Sequence, residues 1–156
     1  MLNLPERIVI FDLECTTWEG AAARGWSGPG EHREVVQLGA ALVETENFTE
    51  LANVKFWVRP KINLVLSQYF INLTNIKQEE VDEKGVDFQA FLKGFSDFCA
   101  EFELYCFDNR VDGSRLFVRD VLMENCKLLG IEFPFKMGRF HNVNEKMLPL
   151  TKEDFF

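Results

Sequence analysis

The chain has 156 residues, of which 47% are hydrophobic and 27% charged, with a formal net charge of −8. Such a length and composition predict one folded domain, residues 1–156, with a single core, and exclude a chain disordered by composition. The acidic balance excludes non-specific nucleic-acid binding through a broad basic face, but still permits phosphates to be met through bound metal ions, which become the largest local charges.

In chain order, Glu6 and Arg7 precede an apolar run too short for a signal peptide, and no run approaches the length of a membrane span. Residues 7–11 read as a first, buried strand. The run Ile8-Val9-Ile10-Phe11 ends in Asp12-Leu13-Glu14, two carboxylates with one residue between them. Successive side chains alternate faces in a strand, so Asp12 and Glu14 project to one side while Leu13 points into the core. Two carboxylates so placed repel unless a cation lies between them, and oxygen-only ligands suit a hard ion such as Mg²⁺ or Mn²⁺. Taken alone, the pair reads more plainly as a polar strand end, with Asp12 capping a turn and Glu14 solvated.

Residues 19–34 follow as a long, glycine-rich loop carrying Trp18 just before it and Trp26 within it. These rings either fold the loop onto the core or stack on a base. Residues 35–43 and 52–58 predict a second and a third strand, the latter ended by Pro60. With no helix between them, the three strands predict an antiparallel meander. Thr74 or Asn75, followed by acidic residues, predicts a helix start. Phe88, Phe91, Leu92, Phe95 and Phe98 recur at helical spacing and predict an amphipathic helix over 87–100 whose phenylalanine stripe is core. A fourth strand is predicted over 104–107, parallel to the first because a helical crossover leads to it. Residues 108–113 are turn chemistry, 116–129 a helix stopped by Gly130, and 140–143 a fifth strand. The four cysteines, Cys15, Cys99, Cys106 and Cys126, show no zinc-like spacing and fit structural thiols in a reduced, cytoplasmic protein.

Read together, these pieces resemble the DEDD superfamily of 3′-5′ exonucleases, of the ribonuclease T and polymerase-proofreading type. Phe11-Asp12-Leu13-Glu14-Cys15-Thr16 is similar to the family's strand-borne D-x-E, and Glu34-Val35-Val36-Gln37-Leu38-Gly39-Ala40 to its second strand. Pro60, Leu73-Thr74-Asn75-Ile76 and Val81-Asp82 resemble the element that comes next in RNA-trimming members. The resemblance runs from about residue 7 to residue 144. It implies an α/β, ribonuclease-H-like mixed five-stranded sheet with flanking helices. It also implies two Mg²⁺ or Mn²⁺ ions held by Asp12, Glu14 and a further aspartate, and 3′-5′ hydrolysis of single-stranded RNA or DNA ends.

Counting forward from Tyr105-Cys106-Phe107, the further aspartate is Asp112; counting back from Asn125-Cys126 it falls near Val118, with Asp108 and Asp120 as alternatives. Cys15, Thr16 and Thr17 are expected to face the terminal nucleotide, and Phe70 and Leu73 to wedge against its base. The family's last motif pairs a histidine with an aspartate five residues on, but His141 is followed at that distance by Lys146. The resemblance therefore implies a C-terminally truncated or degenerate relative, weakened or inactive, with exposed apolar surface that favours a homodimer. Two alternatives are a non-catalytic module of the same fold that binds nucleic acid or protein, and an RNase-H-like endonuclease.

Overall fold

The computed structural model describes residues 3–108 and 115–143. β1 (Arg7–Cys15) is buried on both faces from Ile8 to Phe11 and alternates in burial from there to Cys15, as its sequence predicts. Val9, Phe11, Leu13 and Cys15 point into the principal core, while Ile8 and Ile10 join a smaller cluster on the other face with Val43, Tyr105 and Val143. Asp12 and Glu14 continue that second face, half-buried between the covered Leu13 and Cys15.

β1 pairs antiparallel with β2 (Val35–Glu44), and β2 with β3 (Thr49–Trp57), which gives the predicted meander. Three helices come next: α1 (Gln68–Thr74), α2 (Gln78–Lys84) and α3 (Phe88–Cys99). The chain then returns as β4 (Glu103–Cys106), parallel to β1. α4 (Phe117–Leu129) leads to β5 (Phe140–Asn142), parallel to β4, and the sheet order is β3-β2-β1-β4-β5.

α3 buries Phe88, Phe91, Leu92, Phe95 and Cys99, the predicted stripe with Phe98 left half-covered at its side, and Asp87 caps its start by accepting the Ala90 N–H. α4 turns Val118, Val121, Leu122 and Cys126 into the same core and ends at Gly130, whose φ of 66° is the left-handed conformation a helix stop requires. Asn125 ties α4 to the start of β2: its carbonyl accepts the Val35 N–H at 3.0 Å, and its amide donates to the Arg33 carbonyl.

Three boundaries differ from expectation by more than one residue. β1 runs on to Cys15, and β3 begins at Thr49, on an exposed edge where burial gives the sequence no pattern. Asn75 does not open a helix. It closes α1 with φ 60°, its N–H bonded to the Ile71 carbonyl, and α2 starts afresh at Gln78.

All four thiols are free and buried. Burial pushes Cys15, Cys99 and Cys106 up to about 12, and Cys126 to about 11. A thiol held neutral in the fold contributes stability in full below its ordinary value of 9.0, and loses it as pH rises from there toward 12. Native protein at about pH 8 should therefore leave iodoacetamide unreacted until denaturant is added; a thiol labelled at the rate of free cysteine would contradict this burial.

Candidate functional site

The carboxyl end of β1 is where the chain's chemistry gathers. Asp12 lies opposite Gly39 of β2, and Glu14 opposite Gln37. Among the described residues, a Cβ built on Gly39 would meet nothing within 4 Å, so the sheet is open beside Asp12. A register shift after Glu14 then turns the chain out of the sheet.

Beyond Glu14 the chain is fixed by hydrogen bonds rather than displayed. Thr16 donates its hydroxyl to the His32 carbonyl at 2.6 Å and accepts the Glu34 N–H at 2.9 Å. The Thr17 carbonyl accepts the Ser67 hydroxyl, and that hydroxyl also caps α1 by accepting the Phe70 N–H at 3.0 Å. Cys15, Thr16 and Thr17 are all buried, so this corner presents little of itself to a nucleotide. Phe70 is likewise withdrawn: it is fully covered by an apolar cluster with Val36, Leu66, Ile76 and Val81, and offers no ring face. Leu73, on the same short helix, is 63% exposed.

Sequence reasoning missed Glu34. Its buried carboxylate accepts three successive backbone N–H groups, from Lys61, Ile62 and Asn63, at 2.7, 2.8 and 2.7 Å. It thereby fastens the segment that precedes α1 to the end of β1. The available signal was a carboxylate directly before an apolar strand, a place where only specific partners justify burial.

The candidates for a third carboxylate separate. Asp112 lies outside the described residues. Asp108 is 7% exposed, and its carboxylate accepts the Phe117 N–H at 2.7 Å, so it starts α4. Asp120 lies beside the Arg119 guanidinium at 3.2 Å. Val118, where the backward count falls, is buried in the principal core. The Cys106 thiol is raised first by burial and then by the charges of Asp108 and Asp12, with Arg119 opposing and Asp120 adding. These groups therefore share one end of the sheet, yet among the described residues no three His, Cys, Asp or Glu side chains come close enough to hold one ion.

His141 is committed elsewhere. It stacks on Tyr105 with ring centroids 4.8 Å apart, and its Nε2 faces Glu103 at 3.5 Å. The loop after β1 folds back at Trp26, the first of the two roles open to its tryptophans. Trp26 packs on Phe117 at 5.7 Å, and the Arg33 guanidinium lies 5.0 Å from the indole and 5.2 Å from the phenyl ring while pairing with Glu124. Among the described residues no helix is long and apolar enough to cross a membrane.

No family model matches the chain. Human 3′-5′ exoribonuclease 1 is 30% identical over 141 residues, 88% of this chain, and the chain spans 38% of that relative's length. The nuclease domain of 3′hExo, a DEDDh family member solved bound to rAMP, superposes with a TM-score of 0.68 at 25% identity, over 86% of this chain and 64% of that one. A 3′-exonuclease solved to show 3′-end-specific recognition of the histone mRNA stem-loop gives 0.64 at 26% identity, over 83% of this chain and 43% of that one. By sequence and by fold, the chain belongs to the DEDD superfamily of 3′-5′ exonucleases, whose ribonuclease-H-like sheet it shares.

Proposed function

We propose that this domain takes the 3′ end of single-stranded RNA or DNA at the carboxyl end of β1 and hydrolyses its terminal phosphodiester slowly. The observation that carries this reading is the pair Asp12 and Glu14, on one face of a strand end that opens beside Gly39, in a fold shared with 3′-5′ exonucleases. Asp12 and Glu14 would hold Mg²⁺ or Mn²⁺, with Asp112 as the third ligand. Such ions, when bound, make a water nucleophilic and stabilise the leaving 3′ oxygen. The chain's own part is positional: the hydrogen-bonded turn from Cys15 to Thr17 fixes the corner beside the terminal nucleotide, and exposed Leu73 packs against its base.

A second reading, binding without cleavage, is favoured by one observation. The described candidates for a third carboxylate have other partners, Asp108 the Phe117 N–H at the start of α4 and Asp120 the Arg119 guanidinium, and Val118 is core. A homodimer in solution belongs to either reading.

Calorimetry with Mn²⁺ tests the site itself. Wild type should bind the ion and Asp12→Ala should not; equal binding by the two would remove Asp12 from the assignment.

A further inference from the structure

α4 presents Asp120, Met123, Glu124 and Lys127 along its outer face, and with Arg33 and Arg115 these line a cavity of about 520 Å³. Both acids in it already have cationic partners. Glu124 accepts the Arg33 guanidinium through both oxygens, and Asp120 lies against Arg119. The side chains of Arg115 and Lys127 are exposed and, among the described residues, have no ion-pair or hydrogen-bond partner. The cavity lining, three cations and two carboxylates, therefore carries a net positive charge in a protein of net charge −8, with Arg115 and Lys127 as its unpaired cations among the described residues. Arg33 borders it as a rigid wall, held by Glu124 and by the rings of Trp26 and Phe117.

Arg33 also connects the cavity to the carboxylate site. It directly precedes Glu34, whose backbone is bonded to Thr16 at the end of β1. The cavity thus lies toward the same end of the sheet as Asp12 and Glu14, on the α4 side, and a strand running from it to the carboxylates passes around the end of β1. Two exposed cations beside a groove whose one apolar lining side chain is Met123 suit a chain of phosphodiesters rather than a peptide.

We infer that Arg115 and Lys127 form a phosphate-tracking subsite that holds the backbone of a single strand upstream of its 3′ end. The inference rests on the exonuclease reading for the direction of the strand, but its charge chemistry can fail or hold separately.

The experiment is fluorescence anisotropy with a 5′-labelled single-stranded oligonucleotide, on the full chain, in EDTA so that nothing is cut. Arg115→Glu with Lys127→Glu should weaken binding by about 10-fold or more and lower the salt slope by about 1.4, roughly 0.7 for each phosphate of a single strand left without its cation. Arg115→Ala with Lys127→Ala should give a salt slope lowered in the same direction. A general folding defect would not move that slope, so weakened binding with an unchanged slope overturns the subsite. So does equal affinity, or a wild type that binds a phosphopeptide and no strand. If the slope falls as expected but Mn²⁺ yields no 3′ shortening, the subsite stands and the hydrolytic reading fails.

Discussion

Incubated with Mn²⁺ and a 5′-labelled single-stranded RNA or DNA, the wild-type chain should shorten the strand from its 3′ end about 10²–10⁴-fold more slowly than full-length human 3′-5′ exoribonuclease 1, the range that a positioned general base contributes. The reason lies in the placement of the one histidine on the sheet. Tyr105 pairs with Ile10 on one side and with His141 on the other. His141 is therefore two strands across from β1 and one same-face position below Asp12. With strands about 4.8 Å apart and a rise of about 3.3 Å per residue, that is roughly 12 Å. A general base must lie within hydrogen-bond reach of its water, directly or through one more. His141 is instead stacked on Tyr105 and faces Glu103. Asp12→Ala, run beside the wild type, identifies contaminating nuclease. Rapid 3′ laddering by the wild type that vanishes in Asp12→Ala would show that a side chain other than His141 serves as the base.

Replacing Phe95 with alanine should cost about 3–5 kcal/mol, the usual loss for truncating a buried phenylalanine. Phe95 is fully buried, and its ring meets Phe11 at 5.2 Å, Phe135 at 5.6 Å, Phe91 at 6.1 Å and Phe56 at 6.4 Å. It thus joins α3 to β1, to β3 and to the segment before β5. Domains of this size are stable by only about 5–15 kcal/mol, so the loss is a large part of the whole. Phe11 directly precedes Asp12, so slack around Phe95 reaches the carboxylate site before the chain unfolds. Urea denaturation followed by tryptophan fluorescence should show an earlier midpoint with little change in slope. A loss below about 1 kcal/mol would mean that the aromatic cluster repacks around the gap.

Those features that local pattern controls were legible in the sequence. The β-branched run of β1, the Phe stripe of α3 and Gly130 after α4 each state their own conformation, and the meander results from the lack of helices between the first three strands. The carboxylate pair was legible because strand alternation alone puts Asp12 and Glu14 on one face. The break between α1 and α2 was not, because both are short and their limits are set from a distance. Ser67 starts α1 while donating to Thr17, and Thr74 closes it by bonding the Phe70 carbonyl. Glu34 was invisible for the same reason: its three donors lie far along the chain, at Lys61, Ile62 and Asn63. Phe70 read as a wedge because its helix stands at the site, whereas its ring turns inward.

The tie at Asp108 also bears on how this lineage can change. Asp108 and Asn142 exchange two hydrogen bonds, at 3.1 and 3.0 Å, and the Asp108 carboxylate holds the first N–H of α4. The chain therefore leaves β4 and re-enters α4 at points clamped together by side chains, whatever lies between. Closing a longer excursion over such a clamp costs little, about 0.6 kcal/mol for each doubling of its length. Insertions and deletions between these tied points would leave the sheet and α4 undisturbed while changing the number of residues between them. A count forward from β4 and a count backward from α4 therefore need not agree, as those to Asp112 and to Val118 do not. Gain or loss of a ligand from this stretch needs no rebuilding of the core, which makes it a cheap place for a nuclease fold to cross between cutting and holding.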